Sequence, residues 1–85
     1  MILLLDTHVW IWSQEQPEKL GQQAVQALLA SENTNAVCTI STLEIARLLA
    51  IGTISLTIPL SEWIAQSLSA LAATTLPVTH EIATE

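Results

Sequence analysis

Neither phenylalanine nor tyrosine occurs in this chain of 85 residues, so aromatic packing falls to Trp10, Trp12 and Trp63 alone. Any core must then be built mainly from branched aliphatic chains and small residues. Cysteine is nearly absent: Cys38 stands alone, which excludes an internal disulfide, and within apolar residues 36–40 a lone thiol reads as a small buried hydrophobe. A chain without disulfides suits a reducing compartment, so a cytoplasmic location is expected. Positive charge is equally scarce. Lys19 and Arg47 stand against eight carboxylates, for a formal net charge of -6. Such a surface repels the phosphates of a nucleic acid instead of releasing their counterions, which disfavours nonspecific binding. A nucleic-acid substrate would need metal ions or a partner to supply positive charge, or would meet the protein at a shielded point. Long apolar runs are missing too. Residues 1–5 are apolar, but no basic residue precedes them and Asp6 ends the run too early for an export signal. Residues 63–80 carry no formal charge, yet Gln, Ser, Thr and Pro77 interrupt them, unlike a membrane helix. No membrane association is expected.

What is present suits one small domain of helices packed on a sheet, with 51% of residues hydrophobic and a length near the lower limit for a self-sufficient core. Residues 2–5 are continuously apolar, the pattern of a strand buried on both faces of a parallel sheet. Residues 7–13 suit a short helix, broken around Pro17. Leu20, Ala24, Ala27, Leu28 and Leu29 recur at helical spacing over residues 20–30, with Gly21 near the start. A polar turn at 31–35 leads to a second buried strand over 36–40, joined to the first by a right-handed crossover. Ser41 opens a helix that Gly52 closes. Residues 53–59 form an irregular connector, and Ser61 caps a helix reaching about residue 73, with Ile64, Leu68, Leu71 and Ala72 on its buried side. Residues 75–78 read as a third strand, which Pro77 sends to an edge. Thr79 to Ala83 reads as another helix start.

In open parallel sheets, ligands gather beyond the carboxyl ends of the strands. Asp6 ends the first strand, and Glu44 lies in the first turn of the helix after the second. Neighbouring strands would bring both carboxylates into one cleft, where they repel each other unless a cation sits between them. Hard oxygen donors favour Mg²⁺ or Mn²⁺, and such an ion activates water and stabilises charge on a phosphoryl group. Structural readings stand beside these. Asp6 before Thr7 suits a helix N-cap, and Ser41-Thr42-Leu43-Glu44 matches a capping box, in which Glu44 binds the amide of Ser41 and does no chemistry.

The run from Met1 to Trp12, with Asp6-Thr7-His8 at the end of an apolar strand, is followed by Ser41-Thr42-Leu43-Glu44-Ile45-Ala46 at the separation found in PIN-domain proteins related to VapC toxins. The chain resembles the N-terminal part of that family, with Gly52 closing the helix after the second strand and Leu76-Pro77-Val78-Thr79 similar to the family's third strand. The resemblance implies an α/β, three-layer PIN-like fold, with a short parallel sheet of about three strands flanked by helices. It also implies a metal-dependent ribonuclease, one half of a toxin and antitoxin pair. Asp6 and Glu44 would be the catalytic acids and the ligands of Mg²⁺ or Mn²⁺. Thr7 and Ser41 match neighbouring positions and would hold a ligating water or orient a carboxylate. The implied partners are an RNA substrate and a cognate antitoxin protein. The family's pattern continues into a further Asp-bearing helix start and two more strands beyond those found here, so residues 1–85 are expected to form a partial domain with its C-terminal strands missing. In the family's order those strands would cover the first strand. Its open apolar edge would then seek a second copy or a complementary fragment. A catalytically inactive remnant acting as an interaction or dimerisation module is the alternative.

Other residues admit two roles each. His8 suits either general-base chemistry or packing beside a helix start. Trp10 and Trp12 suit either base stacking or core and dimer contacts. Arg47, one turn after Glu44, suits an ion pair with it or a phosphate contact. Glu81 and Glu85, one helical turn apart, suit either completion of the acidic site or the solvated face of a terminal helix, and His80 reads as exposed.

Overall fold

The computed structural model describes residues 1–77, and the element order is β1 (Ile2–Leu4), α1 (Thr7–Glu15), a 3₁₀ turn (Pro17–Lys19), α2 (Gln22–Leu29), β2 (Thr34–Cys38), α3 (Thr39–Ala50), α4 (Leu60–Leu71) and β3 (Thr74–Leu76). Val78, the expected helix start at Thr79, and His80, Glu81 and Glu85 lie outside the described residues. The sheet runs β1-β2-β3, with both pairings parallel. This is the short parallel sheet flanked by helices that the apolar runs predict, with β2 at its centre. Pro77 follows β3 immediately, and β3 is an edge strand as its missing N–H requires.

Leu3 is registered with Asn35, and Val37 with Thr75. Alternation therefore puts Leu3, Leu5, Asn35 and Val37 on one face, and Ile2, Leu4, Ala36 and Cys38 on the other. The first face carries the core. Leu5, Val37, Trp10, Ile11, Ile45 and Trp63 form a buried cluster, with Leu3, Leu28, Ile64, Leu68 and Leu71 packed around it. The α1–α4 contact is aromatic: Trp10 and Trp63 lie 5.4 Å apart between ring centroids, tilted by 42°. Trp10 is fully buried. At about 25 cal/mol per Å² and roughly 200 Å² for an indole side chain, its burial contributes on the order of 5 kcal/mol. Its indole N–H donates to the Ser67 hydroxyl at 2.9 Å, and the Trp63 N–H donates to Glu15 Oε2 at 3.2 Å. Asn35 ties three elements together, donating from Nδ2 to the Leu28 carbonyl at the end of α2 and the Leu71 carbonyl at the end of α4, both at 3.0 Å.

Several boundaries differ from expectation. The second strand begins and ends two residues earlier than the apolar run 36–40, and α3 starts at Thr39 instead of Ser41. β-branched Thr39 and Ile40 read as strand by propensity, but they are exposed and form the first turn of the helix. Leu60 already belongs to α4, whose N-cap is Pro59, so Ser61 does not cap it. That helix buries Trp63 and Ser67 most deeply, and Ala72 lies exposed beyond its end. Gly52 acts as expected. Its φ of 78° lets its N–H reach the Leu49 carbonyl while Thr53 N–H reaches that of Leu48, closing the last turn of α3.

Candidate functional site

Asp6 stands two residues beyond the end of β1 and is the residue from which α1 departs, with extended backbone and its carbonyl accepting from Trp10 N–H at 2.9 Å. It thus occupies the capping position, but its side chain makes no capping hydrogen bond. The helix entry rests on backbone alone, which leaves the exposed carboxylate uncommitted.

For Glu44 the structural reading is overturned. Because α3 begins at Thr39, Ser41 is the third residue of the helix and Glu44 lies well inside it, out of reach of a capping box. Glu44 is exposed. Neither its carboxylate nor that of Asp6 takes part in a hydrogen bond or ion pair among the described residues, and the anticipated helix-surface pair between Glu44 and Arg47 is likewise absent among them.

Thr7 and Ser41 join the two carboxylates' neighbourhoods. Both side chains are buried, and the Thr7 hydroxyl donates to the Ser41 hydroxyl at 3.0 Å. This bond fastens the first residue of α1 to the first turn of α3, and the two helices pack against each other. Asp6 precedes one end of the bond. Glu44 lies three residues beyond the other, one turn along the same helix. The parallel β1–β2 pairing puts both helix starts at the carboxyl end of the sheet. Local packing explains why: Thr7 and Ser41 are small enough to sit where the helices converge, and their hydroxyls satisfy each other in a site water does not reach.

The remaining candidates separate clearly. Trp10 belongs to the core. Trp12 is half-buried and borders a cleft of about 440 Å³ with His8, Glu15, Lys19 and the connector residues Thr53 to Leu56. Lys19 Nζ lies 5.6 Å from the centroid of the Trp12 ring, and the His8 and Trp12 rings are 5.8 Å apart. Sequence reasoning did not associate Lys19 with Trp12. The association depends on the 3₁₀ turn folding the chain back after α1, and Pro17 at the start of that turn is its only signal. Asp6 also borders a second, apolar cleft of about 240 Å³ formed by residues of β1, α1 and α2.

Among the described residues, no group of three or more His, Cys, Asp and Glu side chains is arranged to hold a metal ion. The carboxylates of Asp6 and Glu44 are nevertheless the donor type Mg²⁺ takes, and that ion is commonly held by one or two carboxylates with water completing its shell. No helix among the described residues is long and apolar enough to cross a membrane. No protein-family model, curated protein or solved structure matches this chain.

Proposed function

We propose that this chain is a PIN-type, VapC-like endoribonuclease fold carrying a Mg²⁺- or Mn²⁺-dependent acidic site, and that it acts in the cytoplasm as the toxin half of a toxin and antitoxin pair. The observation that carries the reading is the buried Thr7–Ser41 hydrogen bond, flanked in sequence by two exposed carboxylates with no partner among the described residues. Asp6 and Glu44 would hold the ion. When bound, it supplies a lowered barrier to water ionisation and stabilises charge on the phosphoryl group under attack. Asp6 and Glu44 present negative oxygen atoms at the carboxyl end of the sheet. The Thr7–Ser41 bond joins the two helix starts, and would fix the spacing of the carboxylates before substrate arrives. With only two acidic ligands the ion keeps most of its water and binds weakly, so activity is expected to rise with Mg²⁺ into the millimolar range or above.

Cleavage of single-stranded RNA, followed with Mg²⁺ or Mn²⁺, tests this. Activity should vanish on chelation and fall at least about a hundredfold in Asp6→Asn, the loss expected when metal stabilisation of the transition state is removed. The thermal midpoint should change little, because the carboxylate supports no helix cap. Retained cleavage in Asp6→Asn, or none in the parent with either metal, rejects the assignment.

A second reading has its own observation. Alternation along β1 leaves Ile2 and Leu4 with backbone groups directed away from β2, and their side chains are 68% and 46% exposed. A chain with that edge would serve as an interaction module, taking a second copy or a complementary fragment. Sedimentation at micromolar concentration separates the possibilities, since a well-behaved monomer is incompatible with a self-pairing edge.

A further inference from the structure

The three indoles of this protein are treated differently. Trp10 and Trp63 are buried, and each donates its N–H to a protein oxygen. Trp12 is half-buried, its N–H has no acceptor among the described residues, and its ring borders the 440 Å³ cleft. That volume suits one small ligand and is too small for a helix or a folded partner. His8, Trp12 and Lys19 line it together with Thr53 and Ser55 of the connector. Lys19 is one of only two Lys or Arg side chains in a chain of net charge -6. Its ammonium is directed at the Trp12 ring, with no ion pair to a carboxylate among the described residues. Glu15, the acidic group on this cleft, is already engaged by the Trp63 N–H. Cation and aromatic surface thus stand together in an otherwise acidic molecule, and a ligand with a flat ring and an anionic group matches both.

Asp6 occupies the N-cap position of α1 and Trp12 lies six residues further along the same chain segment, about 9 Å of axial rise, and neither Asp6 nor Glu44 borders this cleft. We infer that the His8–Trp12–Lys19 cleft is a nucleotide subsite, in which one base of single-stranded RNA stacks on the Trp12 indole while an adjacent phosphate meets the Lys19 ammonium. The choice of RNA rests on the ribonuclease reading. The shielded cationic point that so acidic a chain needs in order to hold RNA is then this cleft.

The test is direct binding of a fluorescently labelled single-stranded oligoadenylate in EDTA at low salt, so that no cleavage occurs and no metal contributes. Trp12→Phe, which keeps a stacking face, should bind within about twofold of the parent. Trp12→Leu, which keeps apolar bulk without a stacking face of that kind, should bind about tenfold more weakly. Lys19→Gln should weaken binding and lower the slope of log affinity against log salt by about 0.7, the value for one phosphate contact on a single strand. Unchanged affinity in Trp12→Leu, or no binding by the folded parent, overturns the inference. Asp6→Asn keeps the two outcomes separate. If parent and Asp6→Asn both bind through Trp12 but neither cleaves with Mg²⁺ or Mn²⁺, the subsite stands and the ribonuclease reading falls. If the parent cleaves and Trp12→Leu cleaves with an unchanged KM, the subsite falls and the ribonuclease reading stands.

Discussion

Polar groups in two regions of this molecule meet opposite fates. Where α1 and α4 meet over the sheet, the fold consumes them: Trp10 is matched to Ser67, Trp63 to Glu15, and Asn35 to the last carbonyls of α2 and α4. At the carboxyl ends of β1 and β2, the one side-chain match among the described residues is the Thr7 hydroxyl donating to that of Ser41. The carboxylates beside them are left over. A buried polar group with a partner contributes to stability and has nothing further to offer. An exposed acid that caps nothing and pairs with nothing contributes little to the fold and is available for a cation. The difference teaches that a candidate site is recognised by what its side chains fail to do structurally, more than by their type.

Mutations sharpen this division. The largest stability loss belongs to the first region. Trp10→Ala should cost about 3–5 kcal/mol, combining lost burial with a cavity against Trp63, and urea unfolding measures it. In a domain this small, such a loss leaves little folded protein. Asn35→Ala comes next. It removes the donors of two hydrogen bonds and leaves the Leu28 and Leu71 carbonyls without them. Against that, it deletes the buried Asn35 Oδ1, which has no partner of its own. The net cost should be about 2 kcal/mol. A neutral or stabilising result would mean that the Asn35 bridge contributes nothing to joining α2 and α4.

Thr7→Val probes the boundary between the regions. Valine keeps the branched shape and loses the bond to Ser41, so stability should fall by about 1 kcal/mol. If the pair fixes the spacing of Asp6 and Glu44, metal-dependent cleavage should fall by about tenfold, more than the loss of folded protein explains. Equal small losses in both would make Thr7 a packing residue only.

Much of the architecture was legible beforehand, because continuous apolar runs and 3.6-residue spacing mark elements. Residues 2–5, the Leu20, Ala24, Ala27, Leu28 and Leu29 stripe, and Gly52 all led to the right element. The expected burial of the first strand on both faces is not found: β1 is an edge strand with Ile2 and Leu4 exposed, and Leu29 is exposed as well. Boundaries were less legible where two signals competed. Thr39 and Ile40 favour strands, yet they begin α3, and the Ser41 and Glu44 spacing imitated a cap that the true helix start excludes. At the candidate site, sequence proposed Asp6 and Glu44 by type and position, and named Thr7 and Ser41 beside them. It could not show that these two hydroxyls meet, because their contact spans 34 residues. Nor could it distinguish Trp10 from Trp12. Two positions apart on a helix, they point about 200° apart, so one enters the core and the other borders the cleft.

The smallest effects come from helix ends, where two similar closures carry different residues. α3 ends through Gly52 at φ 78°, and α4 ends through Ala72 at φ 50°, with Ala73 N–H reaching the Leu68 carbonyl as Thr53 N–H reaches that of Leu48. A Cβ built on Gly52 meets nothing within 4 Å, so Gly52→Ala introduces only the left-handed backbone penalty, about 1 kcal/mol of destabilisation. Ala72 already bears that penalty. Ala72→Gly should therefore stabilise by up to about 1 kcal/mol, less the added freedom of the unfolded chain. Thermal melts of the two variants should shift in opposite directions. A downward shift in Ala72→Gly would show that the Ala72 side chain contributes packing worth more than its backbone strain, and that the two helix ends are alike only in their hydrogen bonds.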